Sequence, residues 1–316
     1  MTVADTSLAA LLLTNRIVDV DVKPLSSSEF WTLCRSTEDP SALVGASAES
    51  IAELSDLPLD GAERISKLLS AGTAFSFERE RLEEEGLRLV SAFDDAFPVG
   101  LRHRLGAACP AFLLVAGPIA FLSTQAVGVV GSRDASDEAL SIAGSAANEA
   151  AMAGRAVVSG LARGIDQAAM AAALGAGAPV VGFPAEGLRV VGRNAEIRRR
   201  VHAGELCMAS PYAPAMRFTA GNAMGRNKLI YAHAEITLVV CADLGSGGTW
   251  EGAREAMRRN FGRVAVWMGD GAGTGNQKLV EVGGTAITDL HDLHDLHDLL
   301  ALEPVVIPPM QPSLFE

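Results

Sequence analysis

The sequence lacks the cysteine patterns of metal-binding and disulfide-stabilised proteins. Its four cysteines are scattered along 316 residues, and they form neither a CxxC pair nor another spacing typical of metal ligands. We therefore expect reduced thiols, no metal site and a cytoplasmic protein.

Features of membrane or secreted proteins are also missing. Residues 1–16 have no basic leader before their short apolar run, so we do not expect a signal peptide. The apolar stretch around residues 107–131 is interrupted by Pro110, Pro118 and several glycines. It predicts two buried strands rather than a membrane span.

Positive charge is scarce overall but not locally. The chain has a net charge of −12, yet residues 151–265 hold 14 Lys and Arg against 8 Asp and Glu. A basic region inside an acidic chain is compatible with a polyanionic ligand, although the net charge alone argues weakly against one.

Short β-rich runs alternate with helical stretches from about residue 87 onward. This alternation predicts an α/β fold with a doubly wound, mostly parallel sheet. Right-handed crossovers then place the carboxyl ends of the strands at one edge, where ligands bind. The runs are LRLVSAF, FLLVAG, AVGVVGS, AVVSG, PVVGF, LCMASP, ITLVVCA and RVAVW.

A small helical unit precedes the alternating region. Serines before EFWTLCR are typical helix caps, and residues 47–72 predict two helices around the turn SDLPLDG. The pattern is similar to a helix-hairpin-helix or SAM-like module, and its acidic residues favour packing or dimerisation over DNA binding. We divide the chain into a small helical domain (1–75), an α/β domain (76–288) and a tail (289–316).

The tail begins with a triplet repeat and continues with a proline-rich segment. The repeat, DLHDLHDLHD, holds three of the six histidines. A three-residue period does not keep them on one face of a helix, so low-complexity expansion explains the repeat better than a metal site does.

Two strand-to-helix junctions carry glycine together with arginine. SGLARGID at residues 159–166 follows the run AVV, and VVGSR at residues 129–133 ends an earlier run. The start of a helix presents unpaired N–H groups to an anion, glycine lets a phosphate approach closely, and arginine suits its oxygens. Neither junction matches GxGxxG or GxxxxGK[ST], so we do not predict a dinucleotide or P-loop site. Tight turns and surface ion pairs are the structural alternative.

Further basic or glycine-rich clusters occur at residues 189–204, 221–234 and 244–257. Several phosphate-sized sites along one sheet edge favour a polymeric ligand over a single nucleotide. Aromatic residues make up only 5% of the chain, and most of those near the clusters are expected in the core. They are Phe183, Tyr212, Phe218, Tyr231 and Trp250.

Taken together, these motifs resemble the DprA/Smf family of DNA-processing proteins. The resemblance rests on VVGSR, VVSGLARGID, GRNK at 225–228 and GSGGT at 245–249, and it covers about residues 30–285. It implies an extended Rossmann-like domain that binds single-stranded DNA, forms homodimers and helps to load a RecA-type recombinase. No catalytic residue, cofactor or metal is expected.

The resemblance also implies which residues contact DNA phosphates. The looser assignments are Arg193 and Asn194. The full set of candidates is Gly131, Ser132, Arg133, Ser159, Gly160, Arg163, Gly164, Arg193, Asn194, Arg226, Asn227, Lys228, Ser246, Gly247, Gly248 and Thr249.

Two departures from the family pattern keep alternatives open. The glycine loop continues as SGGTWEGA instead of a form like SGSLxTA, and GNAM intervenes before the Arg-Asn pair. The GGTxE portion also resembles the LOG phosphoribohydrolases. In that reading the protein is a nucleotide hydrolase or sensor, and Glu251 is its acid or base. A DprA-like regulatory or phage-defence protein is a further alternative.

The last residues, QPSLFE, resemble the peptide that binds bacterial sliding clamps. Gln311, Leu314 and Phe315 would supply its polar and apolar anchors. An unstructured end is the alternative.

Overall fold

The computed structural model describes residues 3–290, with side chains from residue 5 onward. The helices within these residues are α1 (Val3–Thr14), α2 (Ser27–Thr37), α3 (Ala48–Ser55), α4 (Leu59–Leu69), α5 (Gly72–Glu84), α6 (Val99–Leu105), α7 (Asp137–Met152), α8 (Ile165–Gly175), α9 (Leu188–Val191), α10 (Ala195–His202), α11 (Ala220–His233), α12 (Gly247–Arg259) and α13 (Asn276–Glu281). The strands are β1 (Leu87–Ser91), β2 (Phe112–Ala116), β3 (Ala126–Val130), β4 (Ala156–Ser159), β5 (Val180–Gly182), β6 (Leu206–Ser210), β7 (Ile236–Val239), β8 (Arg263–Trp267) and β9 (Thr285–Ile287).

The strands form one sheet in the order β1-β2-β6-β5-β4-β3-β7-β8-β9. From β6 to β9 every neighbouring pair is parallel, whereas β1 and β2 join the edge as antiparallel strands. The predicted α/β class with a mostly parallel, doubly wound sheet is confirmed.

Both faces of the central strands are buried, which explains their continuous apolar runs. In β3, Ala126 and Val130 face one layer of side chains while Val127 and Val129 face the other. The first layer includes α6, α11 and α12, and the second includes α7, α8, α9 and α10.

The amino-terminal helices pack onto the first of these layers. Ser26 and Glu29 form a capping box at α2, as the serines before EFWTLCR predict. Trp31 on α2 donates a hydrogen bond from Nε1 to the carbonyl of Cys109, 2.8 Å away, just before β2. Because one group of buried side chains joins these helices to the sheet, the boundary after residue 75 stays a prediction.

The β-rich runs named above coincide with β1 to β8. The elements that were not predicted include α1, which buries Leu12 and Leu13, the short helices α6, α9 and α13, and the three-residue β9. All four cysteines are buried and have free thiols.

Two kinds of feature are missing from the described part of the chain. Within residues 3–290 no helix is both long and apolar enough to cross a bilayer. The same residues contain no group of His, Cys, Asp and Glu side chains arranged to hold a metal ion.

Candidate functional site

The sheet changes its direction of growth at β3. The chain adds β4, β5 and β6 on one side of β3, then crosses to place β7, β8 and β9 on the other. In open parallel sheets, such a switch point leaves a crevice outside the carboxyl ends of the strands. Here the loops after β3, β4 and β7, at residues 131–136, 160–164 and 240–246, surround it.

Hydrogen bonds hold these three loops together. The amide of Ser132 donates to the carbonyl of Cys241 at 3.0 Å, and the amide of Ile165 donates to the carbonyl of Ser132 at 3.3 Å. The hydroxyl of Thr249, at the start of α12, donates to the carbonyl of Gly131 at 2.9 Å. The crevice is therefore preorganised by main-chain contacts.

Two of the predicted glycines are required by close approaches. A Cβ at Gly160 would overlap the guanidinium of Arg226, which lies directly against the backbone there. Gly164 has a φ of +76°, and a Cβ on it would also overlap the carbonyl oxygen of Ser132. The backbone of Gly164 therefore lies directly against the backbone of Ser132 and Arg133.

Asp166, in the first turn of α8, holds the loop after β4 in place through hydrogen bonds. Its Oδ2 accepts hydrogen bonds from the amides of Gly160 at 3.0 Å and Ala162 at 3.4 Å. Between them, Leu161 adopts a φ of +57°, which is uncommon for a branched side chain. The sequence allowed Asp166 to cap its helix or orient Arg163; the structure instead pairs it with Arg226, 3.9 Å away.

Arg226 is the most deeply placed cation of the candidate set. It is 4% exposed, and its Nε has no hydrogen-bond partner among the described residues. Burial lowers the pKa of Arg226 and raises the pKa of Asp166, and the opposite charge of each partner counteracts both effects. A buried guanidinium with an unpartnered donor is suited to an anion that enters the crevice.

Exposed cations surround the mouth of the crevice. Arg133 and Arg163 are exposed, as is Arg217 in the loop before α11. The guanidinium of Arg133 lies 5.1 Å from the ring centre of Phe218. Phe218 is 44% exposed, whereas Phe183, Tyr231 and Trp250 are buried as expected.

The first turn of α12 closes the crevice on the β7 side. Ser246 occupies the N-cap position without a side-chain cap, and residues 246–248 are exposed. The first-turn amides are therefore open to an anion. Asn227 ties α11 to this turn, because its Nδ2 donates to the carbonyl of Gly248 at 2.9 Å.

Some predicted residues lie elsewhere. Lys228 lines a separate cavity on the other side of α11. Asn194 caps α10 by accepting from the amides of Glu196 and Ile197 at 2.9 and 3.2 Å, and exposed Arg193 precedes it. Among the described residues, no hydrogen bond or ion pair joins Arg193 or Asn194 to the three loops.

Other basic residues near the candidates are paired with acidic side chains, and the predicted tail residues lie outside the described part of the chain. In the basic cluster at 189–204, Arg199 and Arg200 pair with Glu196 at 2.6 and 2.8 Å. The tail residues Gln311, Leu314 and Phe315, and nearly all of the triplet repeat, lie outside the described residues.

Sequence analysis missed Arg217 and named Phe218 only as one of five aromatic residues near the clusters that could stack on a base, most of them expected in the core. The available signal was an arginine beside an aromatic residue in a loop that leads into the GRNK helix. Only the fold shows that this loop faces the crevice, because Arg133 contacts Phe218 across it.

These features define a Rossmann-like α/β protein with a cation-lined crevice at the switch point of its sheet. The family model for DNA recombination-mediator protein A matches residues 88–298, and the chain belongs to this family. The predicted resemblance to DprA/Smf proteins is thereby confirmed.

Known proteins agree with this assignment. A relative from Mycobacterium tuberculosis, described as a DNA processing protein DprA, is 33% identical over 201 residues; the match covers 59% of this chain and 50% of the relative. The match thus spans about half the length of that curated relative.

Two solved structures share the fold. The crystal structure of DNA processing protein A from Streptococcus pneumoniae has a TM-score of 0.62 at 24% identity, covering 85% of this chain and 97% of that one. The Helicobacter pylori protein, whose structure was described for its single-stranded DNA binding mode, has a TM-score of 0.56 at 23% identity and covers 68% and 96%. At these identities the likeness establishes the fold.

Proposed function

We propose that this chain binds single-stranded DNA in the crevice at the carboxyl ends of β3, β4 and β7, without chemical turnover. One observation carries the proposal: Arg133, Arg163 and Arg217 are exposed beside the uncapped first turn of α12, and none of the three is ion-paired to a described residue. Unpaired cations around an open helix start fit a phosphate backbone.

The depth of the crevice suggests how one phosphate is held. The buried guanidinium of Arg226 supplies donors at the floor, and the first turn of α12 supplies amides at the side. A phosphate between them gains charge-assisted hydrogen bonds in a site partly shielded from water. These contacts do not distinguish one base from another, so we expect weak sequence preference.

Phe218 supplies the contact to a base. Its ring is the large exposed aromatic surface at the crevice, and Arg133 lies beside it. Stacking on an aromatic ring tolerates every base because each base has a π-face. The DNA binding reported for the Helicobacter pylori relative supports this assignment of ligand.

The hydrolase alternative receives less support from the side chains. Glu251 lies on the exposed surface of α12, where its carboxylate is 3.7 Å from Arg254. Asp166, which is buried below the crevice, is already the acceptor for two backbone amides. Neither acid is placed as an open general acid or base, so binding without turnover is the better proposal.

The partners implied by the family resemblance belong to the same proposal. We infer a cytoplasmic homodimer that delivers bound strands to a RecA-type recombinase during DNA uptake. A regulatory or phage-defence role would use the same crevice with other partners. The tail residues Gln311, Leu314 and Phe315 are proposed to bind the sliding clamp.

Titration of a labelled single-stranded oligonucleotide across a salt series tests DNA binding. For single strands, the slope of log affinity against log salt falls by about 0.7 for each phosphate contact removed. Arg133→Ala and Arg163→Ala should each show such a loss. Arg258→Ala removes an exposed cation at the far end of α12 and should match the wild type.

Two outcomes would reject the proposal. Cleavage of AMP to base and ribose phosphate, without oligonucleotide binding, would establish the hydrolase alternative, and Glu251→Ala should then abolish turnover. Equal affinity of wild type, Arg133→Ala and Arg163→Ala would place the DNA elsewhere. The clamp contact is tested separately: deletion of residues 311–316 should abolish clamp pull-down and leave oligonucleotide affinity intact.

A further inference from the structure

A second cavity lies on the other side of α11 from the crevice. Its volume is about 240 Å³, and its wall is built from the amino-terminal helical region, the start of β2, the segment after β6 and α11. Because β2 runs antiparallel to β6, its first residues lie at the carboxyl end of β6. The cavity and the crevice therefore open along the same edge of the sheet.

The cavity wall is cationic. Arg16, just after α1, and Lys228, on α11, both line it, and no aspartate or glutamate does. Within residues 3–290 neither cation is ion-paired. The Nδ2 of Asn222, another wall residue, is buried and has no acceptor among the described residues. The wall thus combines two unpaired cations from different parts of the fold with a buried amide group that has no acceptor.

The rest of the wall is largely apolar. Phe112 and Leu229 contribute buried surface beside the cations. Sites for drug-sized molecules usually measure about 300–1,000 Å³. The smaller volume of this cavity suits a single phosphate with part of its sugar or base.

The helix α11 separates the crevice from the cavity. Arg226 and Asn227 face the crevice, where they contact Gly160 and Gly248, whereas Lys228 faces the cavity. An α-helix with its side chains is about 10–12 Å across. A strand bound in the crevice would need only a few nucleotides to cross it.

Tyr212 lies between the crevice and the cavity. Its hydroxyl donates to the carbonyl of Asn222 at 2.6 Å. Burial raises the pKa of Tyr212 to about 12, and the charges of both Arg226 and Arg16 act against this rise. Tyr212 therefore lies within electrostatic range of the crevice floor on one side and of the cavity wall on the other.

We propose that this cavity is a second anchoring site for the same DNA strand, in which Arg16 and Lys228 bind one backbone phosphate beyond those held in the crevice. The proposal rests on the proposed function, and it extends the DNA path across α11 to the amino-terminal helical region. That region would then take part in ligand binding in addition to the packing role its acidic sequence favours.

Strand length separates this site from the crevice. Affinity is measured across a salt series for a dinucleotide, which is too short to reach from the crevice across α11, and for an oligonucleotide of about 16 nucleotides, the upper end of common single-strand site sizes. Arg16→Ala and Lys228→Ala should weaken binding of the longer strand about 3- to 10-fold and reduce its salt slope by up to about 0.7. Binding of the shorter strand should change by less than about twofold because the crevice alone accommodates it.

Matched variants control for charge and folding. Lys67→Ala removes one exposed positive charge from α4 of the same helical region and should leave both affinities unchanged. Lys228→Arg keeps the charge and should retain wild-type affinity for the longer strand. The double variant Arg16→Ala/Lys228→Ala should lose less than the product of the single losses, since both cations bind one phosphate.

Each contrary outcome has a distinct meaning. Equal binding of both strands by wild type and cavity variants would overturn the second site and leave the proposed function standing. Equal weakening of both lengths would show that the cations act on the crevice, which also overturns it. Failure of the wild type to bind either strand would reject the proposed function and this site together.

Discussion

The guanidinium of Arg226 lies 3.9 Å from the carboxylate of Asp166, and both side chains are almost completely buried below the crevice. This pair joins α11 to the first turn of α8. It holds a cation ready at the floor of the crevice, where solvent screening is weak. The pair therefore combines structural and ligand-binding roles, and these can be separated by substitution.

The stability contribution of this pair can be measured with a double-mutant cycle. Arg226→Met should lower the free energy of unfolding by about 3–5 kcal/mol, because it leaves the Asp166 charge buried without its partner. Arg226→Met/Asp166→Asn should recover part of this loss. Urea unfolding of the four proteins measures the coupling; additive losses would show that the two groups do not interact.

The close approach at Gly160 predicts a second effect. Gly160→Ala should displace the Arg226 guanidinium, reduce oligonucleotide affinity and cost about 1–3 kcal/mol of stability through overpacking. Gly175→Ala is the matched control, since a Cβ at that position of α8 meets no atom within 4 Å. It should bind DNA normally and unfold no earlier than the wild type. Normal binding by Gly160→Ala would contradict the role of Arg226 as a DNA ligand.

Phe218 should contribute through stacking rather than charge. Phe218→Ala should weaken oligonucleotide binding by about 1–3 kcal/mol while leaving the salt slope unchanged. Phe218→Trp should retain binding. Phe77→Ala serves as the control, because Phe77 is 71% exposed on α5 and lies outside the crevice. A reduced salt slope for Phe218→Ala would indicate that the substitution acts through Arg133 instead.

The surroundings of His233 predict that the folded protein loses stability at acid pH. It is half-buried at the end of α11, its ring centre lies 5.5 Å from that of Phe183, and its Nε2 is buried without a partner among the described residues. Burial followed by the charge of Arg104 lowers its pKa from 6.5 to about 4. The imidazole therefore binds a proton more readily in the unfolded state than in the folded state. Its contribution to the free energy of unfolding is complete above pH 6.5 and is lost as the pH falls toward 4. The shift corresponds to about 3 kcal/mol.

Thermal unfolding between pH 7 and pH 4 measures this effect by comparison of variants. His233→Leu should show a shallower loss of stability than the wild type over this range. His202→Leu, which replaces an exposed histidine on α10, should follow the wild-type profile. Parallel profiles for wild type and His233→Leu would contradict the assignment.

The sheet could be predicted because its strands carry their own signal. β3 and β4 are buried on both faces, so each is a short apolar run bounded by glycine or a helix signal. β9 carries no such signal: it has three residues, of which Thr285 and Ala286 are exposed. The helix α1 was missed because its sequence is apolar nearly all round, a pattern that a buried helix shares with other apolar segments.

The crevice was predicted in part. Gly131, Gly160 and Gly164 stand out in sequence because each follows a strand closely, and the structure brings their loops together. The rotation of α11 could not be predicted in the same way. Its residues are small, polar and apolar without a clear period, so nothing local shows that Arg226 is buried while Lys228 faces a different cavity.

The sequence by itself determined the succession of most strands and helices along the chain and the glycine junctions after β3 and β4. These depend on residues that are neighbours in the chain. Only the tertiary structure decided which cations share a site, because that depends on the switch in strand order at β3 and on the face that α11 turns toward the sheet. Arg217, Phe218 and Arg16 acquire their surroundings from segments far away in sequence, and packing alone brings those segments together.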